Sequence, residues 1–331
     1  MSGDNGPLSN IKGAINYINN PISKKNIVVL YGNENIYKNN SNLIKNNKDR
    51  IKFVITKHII SMNDKPSIAF RKKRNSSLIK IIDDLSEKKI DACISSGNTG
   101  ALLTSGLLIL GKIKGIRRPA LAPFIPIEKS GFILCDAGAN ANIKPHHLLE
   151  FGLMCVAYLE NLGKISKPKV ALLNIGLEEN KGNHLTTEAY PLLKENISTF
   201  IGNIESRNLF ENKADIVLCD GFTGNIVLKL IEGLVSNMIN ITLKSVESHS
   251  MSKLVKPILS PVFDDISKSF DYEEYGGTPI LGLNGIIMKC HGSSNSKAIQ
   301  NALIKTQIIH EMKLIEKLEK KLNRNMKTII T

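Results

Sequence analysis

Ser95-Ser96-Gly97-Asn98-Thr99-Gly100 combines residue types that hold anions with a position suited to holding them. It follows the apolar run Asp91–Ile94 and opens into a run of helical character from Ala101 to Leu110. Where a strand breaks into small residues and re-enters a helix, several backbone N–H groups lack partners and converge, an arrangement that favours phosphate. Ser96, Gly97, Asn98, Thr99 and Gly100 are therefore candidate phosphate contacts, although the same residue types build ordinary turns. Four more segments repeat the combination. Asp136-Ala137-Gly138-Ala139-Asn140-Ala141-Asn142 offers Asp136 and Asn140 either to a ligand or to its own turn. Asn174–Gly182 places Lys181 among glycines, where it serves phosphate or a developing oxyanion, or is simply solvated. Asp220-Gly221-Phe222-Thr223-Gly224-Asn225 sets the Asn225 amide at a helix start, as a donor or as an N-cap. Tyr275–Gly282 continues to His291-Gly292-Ser293-Ser294, and a lone histidine such as His291 is more often a structural hydrogen-bonder than a catalyst.

These segments need strands behind them. Ile27–Tyr31, Ile51–Thr56, Asp91–Ser95, Ala120–Ile125, Phe132–Cys135, Val170–Ile175 and Ile216–Cys219 are apolar, mostly throughout rather than in alternation. Strands buried on both faces read this way. With helical stretches between them they predict an α/β fold, a doubly wound and mainly parallel sheet of Rossmann-like type, with ligands beyond the carboxyl ends of the strands. From Val227, the residues Leu230, Ile231, Leu234, Val235, Met238 and Ile241 form a helical stripe, broken at Ser248–Ser252. Leu254–Leu259 then mixes apolar and basic residues. Residues 226–262 thus predict a protruding helical hairpin whose tip suits a membrane surface, or helices packed on a core or a dimer partner. Ser-capped helix is expected over Asn295–Thr306, and Ile308, Met312, Ile315, Leu318 and Leu322 mark a final amphipathic helix. No repeat or linker compels a cut, so residues 1–331 read as a single domain.

The chain has 331 residues, 42% of them hydrophobic, which excludes disorder. Its formal charge is +14, from 44 Lys and Arg against 30 Asp and Glu. That balance suits an acidic protein, an anionic surface, nucleic acid or anionic substrates, and equally an AT-rich genome that favours lysine. Aromatic residues are 5% and Trp is absent, against a nucleic-acid binder that stacks bases. The five cysteines show no metal-ligand spacing, no metal or cofactor is implied, and no eighteen-residue apolar stretch is present. A reduced, cytoplasmic protein is expected. No GxGxxG follows a strand, which argues against a nicotinamide dehydrogenase.

Taken in order, these segments resemble the phosphate acyltransferase (PlsX) family of bacterial phospholipid synthesis. The resemblance runs from Gly3 to about Leu303 and rests on Ser95–Ala101, Arg118-Pro119-Ala120, Asp136–Asn140, Lys144–Leu148, Asn174-Ile175-Gly176 with Lys181-Gly182, Asp220–Asn225, and Tyr275-Gly276-Gly277 through Ser294. It implies an architecture related to isocitrate dehydrogenase and phosphotransacetylase. It also implies transfer of a long-chain acyl group from acyl carrier protein to inorganic phosphate. Lys181 and Asn225 would polarise the carbonyl, with Asp4, His291 and Ser293 as further substrate contacts. The implied associations are a homodimer, the inner face of the cell membrane, the downstream glycerol-3-phosphate acyltransferase, and acidic acyl carrier protein on basic surface such as Arg71–Arg74. The alternative is a phosphate acetyl- or butyryltransferase acting on short acyl-CoA. Relatives begin with an apolar strand running into Asp-Ala-Met-Gly-Gly-Asp, whereas this sequence opens within that motif at Met1-Ser2-Gly3-Asp4. A missing first strand is therefore expected, through a start codon assigned at an internal Met, the favoured reason, or through a truncated gene product.

Overall fold

The computed structural model describes residues 3–127, 130–163, 165–247, 258–259, 261–262 and 275–330. In chain order it contains α1 (Gly6–Ile18), β1 (Val28–Gly32), α2 (Glu34–Asn39), α3 (Ser41–Lys45), β2 (Ile51–Ile55), α4 (Pro66–Lys72), α5 (Ser77–Ser86), β3 (Ala92–Ser95) and α6 (Thr99–Ser105). There follow β4 (Ala120–Leu121), β5 (Phe124–Ile127), β6 (Ser130–Cys135), α7 (Pro145–Asn161), β7 (Val170–Asn174), α8 (His184–Asn196), β8 (Phe200–Glu205) and β9 (Ile216–Leu218). The remainder holds α9 (Gly221–Glu247), β10 (Thr278–Leu281), β11 (Ile286–Lys289), α10 (Ser296–Glu311) and α11 (Leu314–Ile330).

Among the described residues the strands form an α/β arrangement of three sheets: β1-β2, β3-β11-β10-β4 and β5-β6-β9-β7-β8. Parallel pairing joins β1 to β2, β3 to β11, and β6, β9, β7 and β8 in succession. Antiparallel pairs are confined to β4, β10 and β11, and to β5 beside β6. The central strands are buried on both faces, as their unbroken apolar sequence requires: Val170, Ala171, Leu172, Ile216 and Leu218 are fully enclosed. Helix α7 is buried from His147 to Leu159 and packs on α8 and α11. All five cysteines are buried free thiols.

Three local expectations change. The run Ala120–Ile125 is two strands, because Pro123 has no N–H to donate and the chain crosses there from one sheet to another. The helix after the last strand is capped by Asn295, whose Oδ1 accepts from the N–H groups of Lys297 and Ala298 at 2.8 and 3.0 Å, rather than by serine. The final stripe is divided between α10 and α11 by Met312 and by Lys313 at φ 52°. Of the residues expected to form a hairpin, those up to Glu247 are helical in α9, and most of the tip, including Leu254–Pro257, lies outside the described residues.

β1 and β3 are end strands of different sheets. A cavity of about 540 Å³ lies between them, lined by both strands and by residues of α1, α5 and α10.

Candidate active site

A groove of about 790 Å³ runs between β5 and one face of α9 and reaches the 289–292 segment. Asn225, Leu228, Lys229, Glu232, Val235, Ser236, Ile239 and Asn240 line it from α9, at the three- and four-residue spacing of a single helix face. Leu121, Pro123, Phe124, Ile125 and Pro126 face them. Toward Val235 and Ile239 the walls are chiefly apolar. At the Asn225 end stand Asp4, Gly138, Lys289 and His291. A second stripe of α9, Ile226, Leu230, Leu234, Met238 and Ile241, is at least half exposed. By length and composition α9 could cross a membrane, with a mean hydropathy of 1.5 over its apolar window.

Close packing fixes the start of α9. Asp220, not Asn225, caps it: Oδ1 accepts from the Thr223 N–H at 2.9 Å and Oδ2 from the Thr223 hydroxyl at 2.7 Å. A Cβ on Gly224 would lie 1.9 Å from the Asp136 carbonyl oxygen, and one on Gly221 would lie 2.7 Å from Asp136 Oδ2. Only glycine lets helix and loop meet so closely. Asn225 is thereby held beside Gly138, its Oδ1 3.3 Å from where a Cβ on that glycine would stand, with its side chain on the groove.

Several polar residues that sequence reasoning offers to phosphate are engaged with the chain's own backbone. The Asp136 carboxylate is fully buried and accepts from Leu121 N, Ala139 N, Asn140 N and Asn140 Nδ2 at 2.7–3.1 Å. Burial pushes its carboxyl above the usual range, and those hydrogen bonds oppose the rise. Asn140 Nδ2 also donates to the Pro119 carbonyl at 2.7 Å. Asn98 Nδ2 reaches the carbonyls of Ser61, Met62 and Asp64 at 3.0–3.1 Å, while its Oδ1 caps α6 by accepting from Ala101 N at 2.9 Å. Gly97 N donates to Ser95 Oγ at 3.2 Å, and Gly100 packs on Pro66, where a Cβ would come within 2.5 Å. Ser96 is buried, and Thr99 is the member of this turn that lines the groove. The turn thus shapes the site more than it presents groups to it.

The polar end of the groove is built by His291 and its neighbours. Nδ1 lies 2.7 Å from Ser293 Oγ and Nε2 lies 3.3 Å from Lys229 Nζ. Burial, then the Lys229 charge, holds the imidazole below its ordinary pKa, so it is neutral at pH 7. Lys229 also donates to Glu232 Oε2 at 2.6 Å. Lys289, at the carboxyl end of β11, is buried, and its ammonium donates to the Cys290 carbonyl. Burial lowers its pKa to about 8. Asp4 is tied in through its N–H, which donates to the Gly292 carbonyl at 2.7 Å. Sequence reasoning passed over Lys229; its signal is the four-residue step from Asn225 on the same helix. Lys289 was visible only as part of a segment.

Lys181 stands apart. It is exposed on the loop between β7 and α8, its carbonyl accepts from Asn174 Nδ2 at 2.9 Å, and it is not among the residues lining the groove.

The sequence and the α/β fold each have counterparts among known proteins. Residues 1–317 match the family described as Fatty acid synthesis protein. The chain is 43% identical over 303 residues to a phosphate acyltransferase of Alkaliphilus oremlandii, covering 92% of this chain and 90% of that protein. It is 41% identical over 322 residues to a phosphate acyltransferase of Clostridium acetobutylicum, covering 97% of each. The chain belongs to the phosphate acyltransferase (PlsX) family and is an acyltransferase. Among solved structures it is similar in fold to the EutD phosphotransacetylase from Staphylococcus aureus, with a TM-score of 0.54 at 12% identity, covering 91% of this chain and 99% of that one. A phosphotransacetylase from Streptococcus pyogenes likewise gives 0.54 at 14% identity, covering 88% and 95%.

Proposed function

We propose that this protein transfers a long-chain acyl group from acyl carrier protein to inorganic phosphate, giving an acyl phosphate for phospholipid synthesis. The observation that carries this reading is the groove, an apolar trough along α9 that ends in Asn225, Lys229, Lys289 and His291. An acyl chain occupies the trough, and its thioester carbonyl lies against the polar end. A phosphate oxygen attacks the carbonyl carbon, a C–O bond forms, and the C–S bond breaks to release the carrier thiolate. The proton of hydrogen phosphate passes to that thiolate. Phosphate is already a nucleophile, so the work of the site is to hold both reactants in line and to stabilise the tetrahedral oxyanion. The Asn225 amide is proposed to donate to it, a role that its position in the groove lining supports. Lys181 is proposed to assist from the rim, which requires the loop after β7 to reach the mouth of the groove.

The net charge of +14 supports an acidic carrier as donor, through electrostatic steering that weakens with salt. The outward apolar stripe of α9 supports a homodimer in solution and docking of the protein on the inner face of the cytoplasmic membrane, next to the glycerol-3-phosphate acyltransferase that would use the product. Thioester consumption tests the reading: palmitoyl-carrier with phosphate should turn over far faster than acetyl-CoA. The reverse preference would favour the second reading, a short-acyl-CoA enzyme, to which the phosphotransacetylase-like fold lends support. Lys181→Ala should lower turnover with the fold intact, and unchanged turnover removes Lys181 from the mechanism.

A further inference from the structure

His291 is surrounded by charge. Lys229, Lys289, Glu232 and Asp4 all act on its imidazole, and all five residues line the polar end of the groove. Lys229 has three N–H bonds; Glu232 Oε2 takes one at 2.6 Å, and His291 Nε2 lies 3.3 Å from the ammonium. A remaining N–H is the one a ligand would take. Lys289 brings a second ammonium into the same space from a buried position, supported by the Cys290 carbonyl. Two ammonium groups lining one end of a groove repel each other, and Lys229 indeed disfavours the charge on Lys289. An anion between them relieves that repulsion. The same end of the groove holds a carboxylate: Asp4 Oδ2 lies 2.7 Å from where a Cβ on Gly292 would stand, and Asp4 N is bonded to the Gly292 carbonyl. A carboxylate facing an anion site is costly unless the anion brings a proton for it to accept.

We propose that Lys229, Lys289 and Asp4 form a seat for hydrogen phosphate that refuses sulfate: two ammonium groups meet the anion's charges, and the carboxylate accepts its P–O–H. Sulfate has the same size and charge but no hydroxyl at neutral pH, so its oxygen would face the Asp4 carboxylate lone pairs. A phosphodiester lacks that proton too and would be refused equally. Glu232 and His291 position Lys229 and need not touch the ligand. This deepens the reading above, on which it rests, by naming the residues that hold the nucleophile. The anion seat therefore shifts from the turn at Ser96–Gly100 to the junction of β11 with α9.

The test is direct titration of the whole protein with inorganic phosphate, followed by calorimetry in chloride buffer at pH 7.5 with no thioester present, and repeated with sulfate. Wild type should bind phosphate at least about 10-fold more tightly than sulfate, the weight of one charge-assisted hydrogen bond against a repulsion. Asp4→Asn should erase most of that ratio by strengthening sulfate, since the amide N–H donates where the carboxylate could not. Lys229→Met and Lys289→Met should each weaken phosphate by about 10- to 100-fold, the loss expected for one charged partner. Lys229 is on a half-exposed helix face, so its variant keeps the inference testable if the buried Lys289 variant misfolds. Sulfate binding as well as phosphate in the wild type, or phosphate affinity untouched by Lys229→Met, overturns the seat. Phosphate binding as described in a protein that consumes no acyl thioester would instead remove the proposed activity and leave the seat standing.

Discussion

If an acyl chain lies along α9, the groove sets a length limit that one substitution can shorten. Val235 is ten residues beyond Asn225 and Ile239 fourteen, which is about 15 and 21 Å at 1.5 Å per residue. A methylene chain with bonds of about 1.5 Å at tetrahedral angles advances about 1.25 Å per carbon. Val235 therefore stands near the twelfth carbon, and Ile239 near the seventeenth. Val235→Trp fills the trough at the nearer mark and displaces about four methylenes of a sixteen-carbon chain into water. At about 0.8 kcal/mol per methylene this costs about 3 kcal/mol, or about 200-fold in kcat/KM. The assay is release of free thiol from C8, C12 and C16 acyl thioesters in the presence of phosphate. The expected result is a selective loss: C16 falls by two orders of magnitude, while C8 changes by less than about threefold, because the shorter chain never reaches the plug. An equal loss on all three chains would mean that tryptophan had disturbed the fold. Unchanged C16 turnover would mean the acyl chain lies elsewhere, and the assignment of the trough fails.

Asn225→Ala should reduce kcat by about 10²–10³ with little change in either KM, as removal of an oxyanion donor does; a rise in KM alone would make it a binding residue. Asp136→Asn should destabilise the protein by about 2–4 kcal/mol, because an amide nitrogen then faces backbone donors in a buried site, and thermal unfolding measures it. Lys289 is charged at lower pH at the expense of burial, with Asp4 favouring its charge and Lys229 opposing it. Its folded pKa, about 8, is below the ordinary 10.5, so the unfolded chain binds more protons between those values and stability should rise with pH across that window. Phosphate affinity should fall over the same span as the ammonium is lost. Lys289→Met should flatten the first trend and lose the second, which melting curves and phosphate titrations across pH 7–10 would show.

The buried strands were legible because burial on both faces leaves a plain signature: Val170–Leu173 and Ile216–Leu218 have no polar residue to interrupt them. β8 was not, because Gly202, Asn203 and Glu205 break its pattern where the strand lies at the sheet edge. β10 was hidden by Pro279 and the glycines around it, which carry no strand pattern although the segment is held between β4 and β11. At the site, Asn225 and His291 do share one groove. Asn98, Asp136 and Asn140 show the limit of composition. An amide or carboxylate that ends on its own backbone and one that ends on a ligand have the same letters. Lys229, set between Leu228 and Leu230, reads as the solvated edge of an apolar helix, and only the position of the 289–292 segment reveals what it faces.

The gap between β1 and β3 bears on how the molecule comes apart. Among the described residues no main-chain ladder joins the two edges, and the β1–β2 pair has a small core of Ile11, Ala14, Tyr17, Val28, Leu30, Ile44 and Ile51. That lobe is tied to the rest chiefly where α1 lies on α10 and α5 spans both strands, with main-chain bonds from Lys57 and His58 to Asn75 just before α5. Such a seam should part before the larger sheets do. Amides of β1 and β2 would then exchange with deuterium well ahead of those in β7 and β9, and mild proteolysis would begin in the amino-terminal quarter of the chain.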